Sequence, residues 1–485
     1  MRLTMFRNLL IASTILSGCG RGAQVADNQQ QPSAANLPTT IASGETQELA
    51  ATSGAVGNSS LNTAIGRMAT PKRMIPNLQP FPNARGYAAT YSTAGGVDLD
   101  NLFFKSLGSN GRTCASCHSP STGWTVNPTD IRSRFNATNG LDPIFRPIDG
   151  AVCANANVST VQSRSVAYGL LLRKGLFRID LPMPTDRDFD LVNAIGVYCN
   201  TPMQSQFLPL FRRPLPSTNL KFLAAVMWDG RESKTGLSVR EALLNQTNNA
   251  SVGHAQATAQ VSPADREKIV DFELGLFTAQ ISSLAPLTTN GANGGPRFLA
   301  DVPFTIGSNF PPNFNPAIFN LFTSWRARPA SAGHAAIARG EQIFNTKKFR
   351  IRNVAGLPSA DFEGSCGTCH NTPNVGGFSS PGFVNIGVGA ANRRSPDMPL
   401  FTFRNKTTGT TVAVSDPGRA LITGKWDDIG KFKTPSLRAL ATRAPYFHDG
   451  SAATIEDVIT FYVNRFSITM TPQERTDLSA FLRSL

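Results

Sequence analysis

Two pentapeptides, Cys114-Ala115-Ser116-Cys117-His118 and Cys366-Gly367-Thr368-Cys369-His370, repeat the pattern C-x-x-C-H in a chain with seven cysteines and five histidines. Two thiols one helical turn apart can add to the two vinyl groups of one porphyrin, and the imidazole that follows can reach its iron. The pattern therefore predicts two covalently bound haem c groups, with His118 and His370 as iron ligands. A four-cysteine zinc site would leave the histidine after each pair without a role. A thioredoxin-like pair would need a βαβ setting, which neither motif has.

The start of the chain agrees with this chemistry. Arg2 and Arg7 precede an apolar run ending in Leu16-Ser17-Gly18-Cys19, a lipoprotein signal over 1–18 with Cys19 as the lipidation site. Residues 19–70 lack aromatics and periodic apolar positions and read as a disordered tether. About 50 such residues have a mean reach of roughly 40 Å. The expected location is the periplasm, anchored by lipid to the outer membrane. Cys153 and Cys199 are left for a disulfide, as an oxidising compartment favours. The net charge of +14 suits an acidic electron-donor protein or an anionic surface, and no basic run tracks nucleic-acid phosphates.

Helix signals outnumber strand signals. Ser238-Val239-Arg240-Glu241 and Thr471-Pro472-Gln473-Glu474 are capping boxes. Leu478, Phe481, Leu482 and Leu485 form one face of a closing helix. Thr454 caps another helix, with Ile455, Val458, Ile459, Tyr462 and Phe466 on its apolar face. A helix opening at Ser262 is expected to carry Ile269, Phe272, Leu276 and Ala279 or Gln280. The stretches 283–316 and 371–424, rich in Pro, Gly and Asn, read as loops. Leu102-Phe103-Phe104 and Gly340-Glu341-Gln342-Ile343-Phe344 precede the two haem motifs as a weak internal repeat. The expected fold is mainly α: two cytochrome c-type haem domains with long loops, at 71–332 and 333–485, the first enlarged by an insertion.

Both haem motifs, Trp228-Asp229-Gly230-Arg231, Lys433-Thr434-Pro435-Ser436-Leu437-Arg438 and Ala444-Pro445-Tyr446-Phe447-His448-Asp449-Gly450-Ser451 occur in this order. Together they resemble the bacterial di-haem cytochrome c peroxidase family, including the di-haem maturation enzymes of methylamine dehydrogenase. The resemblance is close over 335–485 and patchy over 100–260. It implies a peroxidatic first haem on His118, an electron-transfer second haem on His370, and Trp228 between them. It also implies a calcium ion near the carbonyls around Pro445, with Asn219 as a candidate ligand, and places His448 near a haem but off the iron.

Three departures from the family sharpen the reading. No histidine follows His118 until His254, so the first iron is expected to keep an open or water-bound position without prior reduction. Fourteen residues after His448 stands Tyr462, as in the maturation enzymes, where the peroxidases have Met; Met398 and Met470 are the fallback ligands. No carboxylate lies between Glu241 and Asp265, so His254 is the proton shuttle and Gln246 the residue that holds a bound oxygen species. His334 receives no role. The resemblance implies an oxidoreductase that reduces hydrogen peroxide with electrons from a small donor protein, a cytochrome c or cupredoxin. A second copy of the chain is a further expected partner. The rivals are a di-haem oxidase or oxygenase acting on a protein or organic substrate, and a tethered electron carrier without turnover.

Overall fold

A computed structural model describes residues 72–196, 198, 206–283 and 285–485. The signal, Cys19, the tether and Cys199 lie outside these residues.

The architecture is mixed α/β, with 32% of the described residues helical and 18% in strands, and this corrects the mainly α expectation. The difference lies in segments whose pairing partners are far away in sequence. Phe189–Ile195 pairs antiparallel with Leu400–Asn405, which pairs in turn with Thr411–Val414. Phe189, Phe401, Phe403 and Val414 then bury the inner face of this sheet together with Leu208 and Leu210. Two of these strands come from the stretch read as loop. Each is short, and becomes a strand only when a partner distant in sequence supplies its ladder hydrogen bonds.

A second correction falls at Ser262. The helix runs Pro263–Leu274 and stops at Gly275. Leu276–Ser282 is instead a strand that pairs with Gly86–Ser92, beside Phe81–Asn83. The run Leu-Phe-Thr-Ala-Gln-Ile suits a strand buried on both faces. Thr90 and Thr278 hydrogen-bond across the pair at 3.0 Å, and Trp124 Nε1 donates to Thr90 at 2.8 Å.

The capped helices form as the sequence predicts. Val239–Gly253 starts at the Ser238/Glu241 capping box, and Ile455–Phe466 and Pro472–Arg483 start at boxes on Thr454 and Thr471. The closing helix packs on Ala332–Thr346 through Gly340, where an added Cβ would stand 2.0 Å from the Asp477 carbonyl. Only glycine allows that approach. Phe319, Phe322, Trp325, Phe344 and Phe481 make the largest apolar core, which includes Ile455, Ile459 and Leu485. No helix among the described residues is long and apolar enough to cross a membrane.

Candidate active site

Each C-x-x-C-H motif opens on a short 3₁₀ turn, Cys114–Ser116 and Cys366–Thr368. Thr113 and Ser365 start these turns with reciprocal hydrogen bonds to Ser116 and Thr368, so the variable positions of the motifs serve as caps. The weak repeat ahead of the motifs has a structural counterpart. Phe103 stands edge-on to His118 at 6.5 Å, and Phe344 edge-on to His370 at 6.2 Å.

The two imidazoles are oriented alike. His118 Nδ1 donates to the Trp124 carbonyl at 2.9 Å, and His370 Nδ1 to the Gly376 carbonyl at 2.6 Å. Fixing Nδ1 in this way leaves Nε2 free to ligate a metal. Trp124 holds φ = 60° to present its carbonyl, a strained backbone at a functional position. Burial keeps both imidazoles neutral, lowering His118 and pulling His370 down to about 4.

Cys114, Cys117, His118 and Trp228 help line one cavity of about 210 Å³. Cys366, Cys369, His370 and Trp228 help line another of about 220 Å³. All four thiols are free. Burial pushes Cys117 up to about 11 and the other three to about 12, so they are neutral thiols. Neutral thiols and a neutral, oriented imidazole at the edge of an apolar cavity fit a covalent haem in each place. Cys153 is disulfide-bonded. Among the described residues no group of three or more His, Cys, Asp or Glu could hold a metal ion. Asn219 is engaged by strand Leu276–Ser282: its side chain donates to the Thr278 carbonyl at 2.9 Å and accepts from the Thr278 N–H at 3.1 Å.

The far sides of the two cavities differ. In the second, the Tyr462 hydroxyl stands 3.5 Å from His370 Nε2. Two metal–ligand bonds of about 2 Å would place such donors roughly 4 Å apart, close to the spacing found. Burial pushes the Tyr462 phenol above its ordinary range. Met470 lines the same cavity. Met398 instead packs with Leu170, Leu176 and Phe211.

In the first cavity the helix Val239–Gly253 contributes Gln246, and His254 follows at its C-terminal cap. His254 Nδ1 hydrogen-bonds Asp149 at 2.6 Å, and Arg112 holds the same carboxylate at 2.6 Å. Asp149 is buried, but its hydrogen bond to His254 and the Arg112 charge outweigh desolvation and lower its pKa. A histidine whose Nδ1 rests on a carboxylate has its tautomer fixed and Nε2 free for proton transfer. Glu273 also lines this cavity. It is 7% exposed, its Oε2 has no hydrogen-bond partner, and burial raises it to about 8. Sequence reasoning missed both acids. Asp149 lies 105 residues from His254, and Glu273 falls beyond the window searched for a carboxylate.

Trp228, Arg213, Pro214, Leu215, Pro216, Lys433 and Ser436 line both cavities and form the wall between them. Trp228 Nε1 donates to the Arg213 carbonyl at 2.8 Å, and the Lys433 N–H donates to the Trp228 carbonyl at 2.8 Å. Arg212, which lines the first cavity, is fully buried and bridges Asp229 at 2.5 Å and Asp416 at 2.7 Å. Gly230, at φ = 71°, has the Phe383 ring where a Cβ would go, 2.3 Å away. The W-D-G-R tetrapeptide thus supplies a wall tryptophan, a buried anion and a tight turn. His448 lies near this wall, stacked on Phe432 at 4.2 Å and edge-on to Trp228 at 6.3 Å. His334 is remote from it, stacked on Trp325 at 3.9 Å.

No family model matches the chain. Cytochrome-c peroxidase IdrP1 of Denitromonas iodatirespirans is 31% identical over 187 residues, 34% of this chain and 44% of that protein. Methylamine utilization protein MauG of Methylorubrum extorquens is 27% identical over 294 residues, 57% of this chain and 65% of its own. Cytochrome c551 peroxidase of Nitrosomonas europaea is 34% identical over 126 residues, 26% of this chain and 31% of its own. The chain spans less than two thirds of the length of each of these curated relatives. Among solved structures, a MauG-like protein associated with microbial copper homeostasis aligns over 86% of this chain and 94% of its own at TM-score 0.39 and 16% identity, a likeness too low to establish a shared fold.

Proposed function

Because this chain belongs to the family of the di-haem cytochrome c peroxidases and MauG, we propose that it is a di-haem oxidoreductase that reduces hydrogen peroxide to water. The observation that carries this reading is the asymmetry of two cavities that share the Trp228 wall. One is edged by a His–Asp pair; the other has a tyrosine hydroxyl facing its imidazole. When bound, the haem on His118 supplies the site of O–O cleavage and the haem on His370 the route for electrons.

The residues divide the remaining work. His254 takes the proton from the inner peroxide oxygen and returns it to the outer one, so that water can leave. Asp149 holds the imidazole in the tautomer this requires and stabilises it while protonated. Gln246, which lines the first cavity, would donate a hydrogen bond to peroxide. Trp228 provides the aromatic contact between the two cavities. Tyr462, whose hydroxyl faces His370 at 3.5 Å, would help hold the second haem, and a hard phenolate oxygen would favour its ferric state. The donor is a small electron-transfer protein, and export with lipidation at Cys19 places the chain in the periplasm on a membrane. The second reading, oxidation of an organic or protein substrate, is favoured by Tyr462, which stands where the maturation enzymes have tyrosine.

Mixing the ferric protein with peroxide in a stopped-flow spectrometer tests the proposal. Rapid high-valent spectral changes followed by turnover with a reduced cytochrome or cupredoxin are expected. High-valent changes without turnover of such donors would move the assignment to the oxidase reading. No reaction with peroxide would leave only an electron carrier.

A further inference from the structure

The wall between the cavities carries positive charge that the protein does not neutralise. Lys433 is 6% exposed and lines both cavities. No hydrogen bond or ion pair reaches its ammonium among the described residues. The anion it senses is Asp229, and that carboxylate is already held by Arg212 at 2.5 Å and Arg231 at 3.4 Å. Arg213, in the same wall, is 5% exposed and touches only the carbonyls of Lys174, Val126 and Arg443. Arg443, on the second cavity, is 8% exposed and rests on the carbonyls of Ser436, Ala439 and Arg438.

Three buried cations without a carboxylate are costly, since desolvating each ion costs several kcal/mol and only a paired anion offsets it. Burial accordingly pulls Lys433 down to about 8, Arg213 to about 9 and Arg443 to about 10. Other cations nearby are paired: Arg212 and Arg231 have their aspartates, and Lys174 has Asp397 at 2.8 Å. Arg438, outside both cavities, also lacks a carboxylate and donates to the Gly295 carbonyl, but Lys433 and Arg213 are the unpaired cations that line both cavities. A molecule that enters both cavities and brings carboxylates would complete them, and haem carries two propionates.

We propose that Lys433 is a shared counter-cation for propionates of both haems, with Arg213 beside it and Arg443 serving the second haem. The inference rests on the two-haem reading above. Lysine suits a shared position because its ammonium is a compact point charge with three donors. The Lys433 N–H bond to the Trp228 carbonyl at 2.8 Å anchors the Lys433 backbone beside the aromatic contact between the cavities. A cation there favours the electron-richer state of each haem, so one side chain sets the level of both.

The experiment uses the full mature protein, with its haem content counted first. Fewer than two haems per chain in the wild type would overturn the two-haem reading and this inference with it. With two haems present, spectroelectrochemical titration compares wild type, Lys433→Gln and Lys433→Arg. In Lys433→Gln both midpoints should fall, each by on the order of a tenfold change in its reduction equilibrium, ~59 mV for one electron. Lys433→Arg should return both close to wild type. Two haems with unmoved midpoints, or a shift confined to one haem, would overturn the shared role while leaving the two-haem reading intact. If Lys433→Gln does not retain both haems, a crystal structure of the loaded wild type decides. Lys433 Nζ within about 3.2 Å of a propionate oxygen of each haem is expected; contact with one haem or none refutes the proposal.

Discussion

His254→Gln tests the chemistry at the first cavity most directly. His254 is 46% exposed, while its partner Asp149 stays held by Arg112 at 2.6 Å when the imidazole is removed. The fold should therefore survive, at a cost of about 1.5–3 kcal/mol for one hydrogen bond to a charged group. The proton transfer should not survive. A positioned acid–base group contributes about 10²–10⁴ in rate, or roughly 3–5 kcal/mol of barrier at 1.36 kcal/mol per decade. The second-order rate of peroxide with the ferric protein should fall by that factor. Asp149→Asn is the companion variant. It frees the imidazole tautomer and also leaves Arg112 buried without an anion, so it should slow the reaction and in addition destabilise the protein by about 3–5 kcal/mol. A His254→Gln rate within threefold of wild type, with Glu273→Gln strongly slowed, would refute the assignment and transfer the proton to the buried glutamic acid.

Tyr462→Phe should change the spectrum of the second haem and leave the first unaltered; identical spectra would exclude ligation by the hydroxyl that faces His370 at 3.5 Å. Arg212→Met should cost about 3–5 kcal/mol in denaturant unfolding, because Asp229 and Asp416 lose their common cation; a loss below about 1 kcal/mol would show that the aspartates are compensated elsewhere. Glu273 has its folded pKa raised from 4.5 to about 8 by burial, so the folded state binds the extra proton between these values. Stability from this residue is present below about pH 4.5, falls as pH rises towards about 8 and levels off above it. Glu273→Gln should flatten that slope in pH-dependent melting curves, and an unchanged slope would exclude Glu273 as its source.

The sequence determined what is local. Five consecutive residues suffice for haem attachment, because both thiols and the imidazole act within one turn. Capping boxes at Ser238, Thr454 and Thr471 are likewise contained in four residues, and their helices start where those residues predict. Tyr462 could be singled out because its interval from His448 matches a family pattern. Tertiary structure decided whatever depends on residues far apart. The strands Phe189–Ile195 and Leu400–Asn405 exist because each pairs with the other, and neither half alone shows a period strong enough to announce it. Leu276–Ser282 left its helix for the same reason, to pair with Gly86–Ser92. Asp149 gains meaning only beside His254, and Lys433 only in a wall that faces two cavities at once. A covalent motif is fixed by bond lengths along the chain. A proton relay or a buried charge balance is fixed by distances through space, which folding alone supplies.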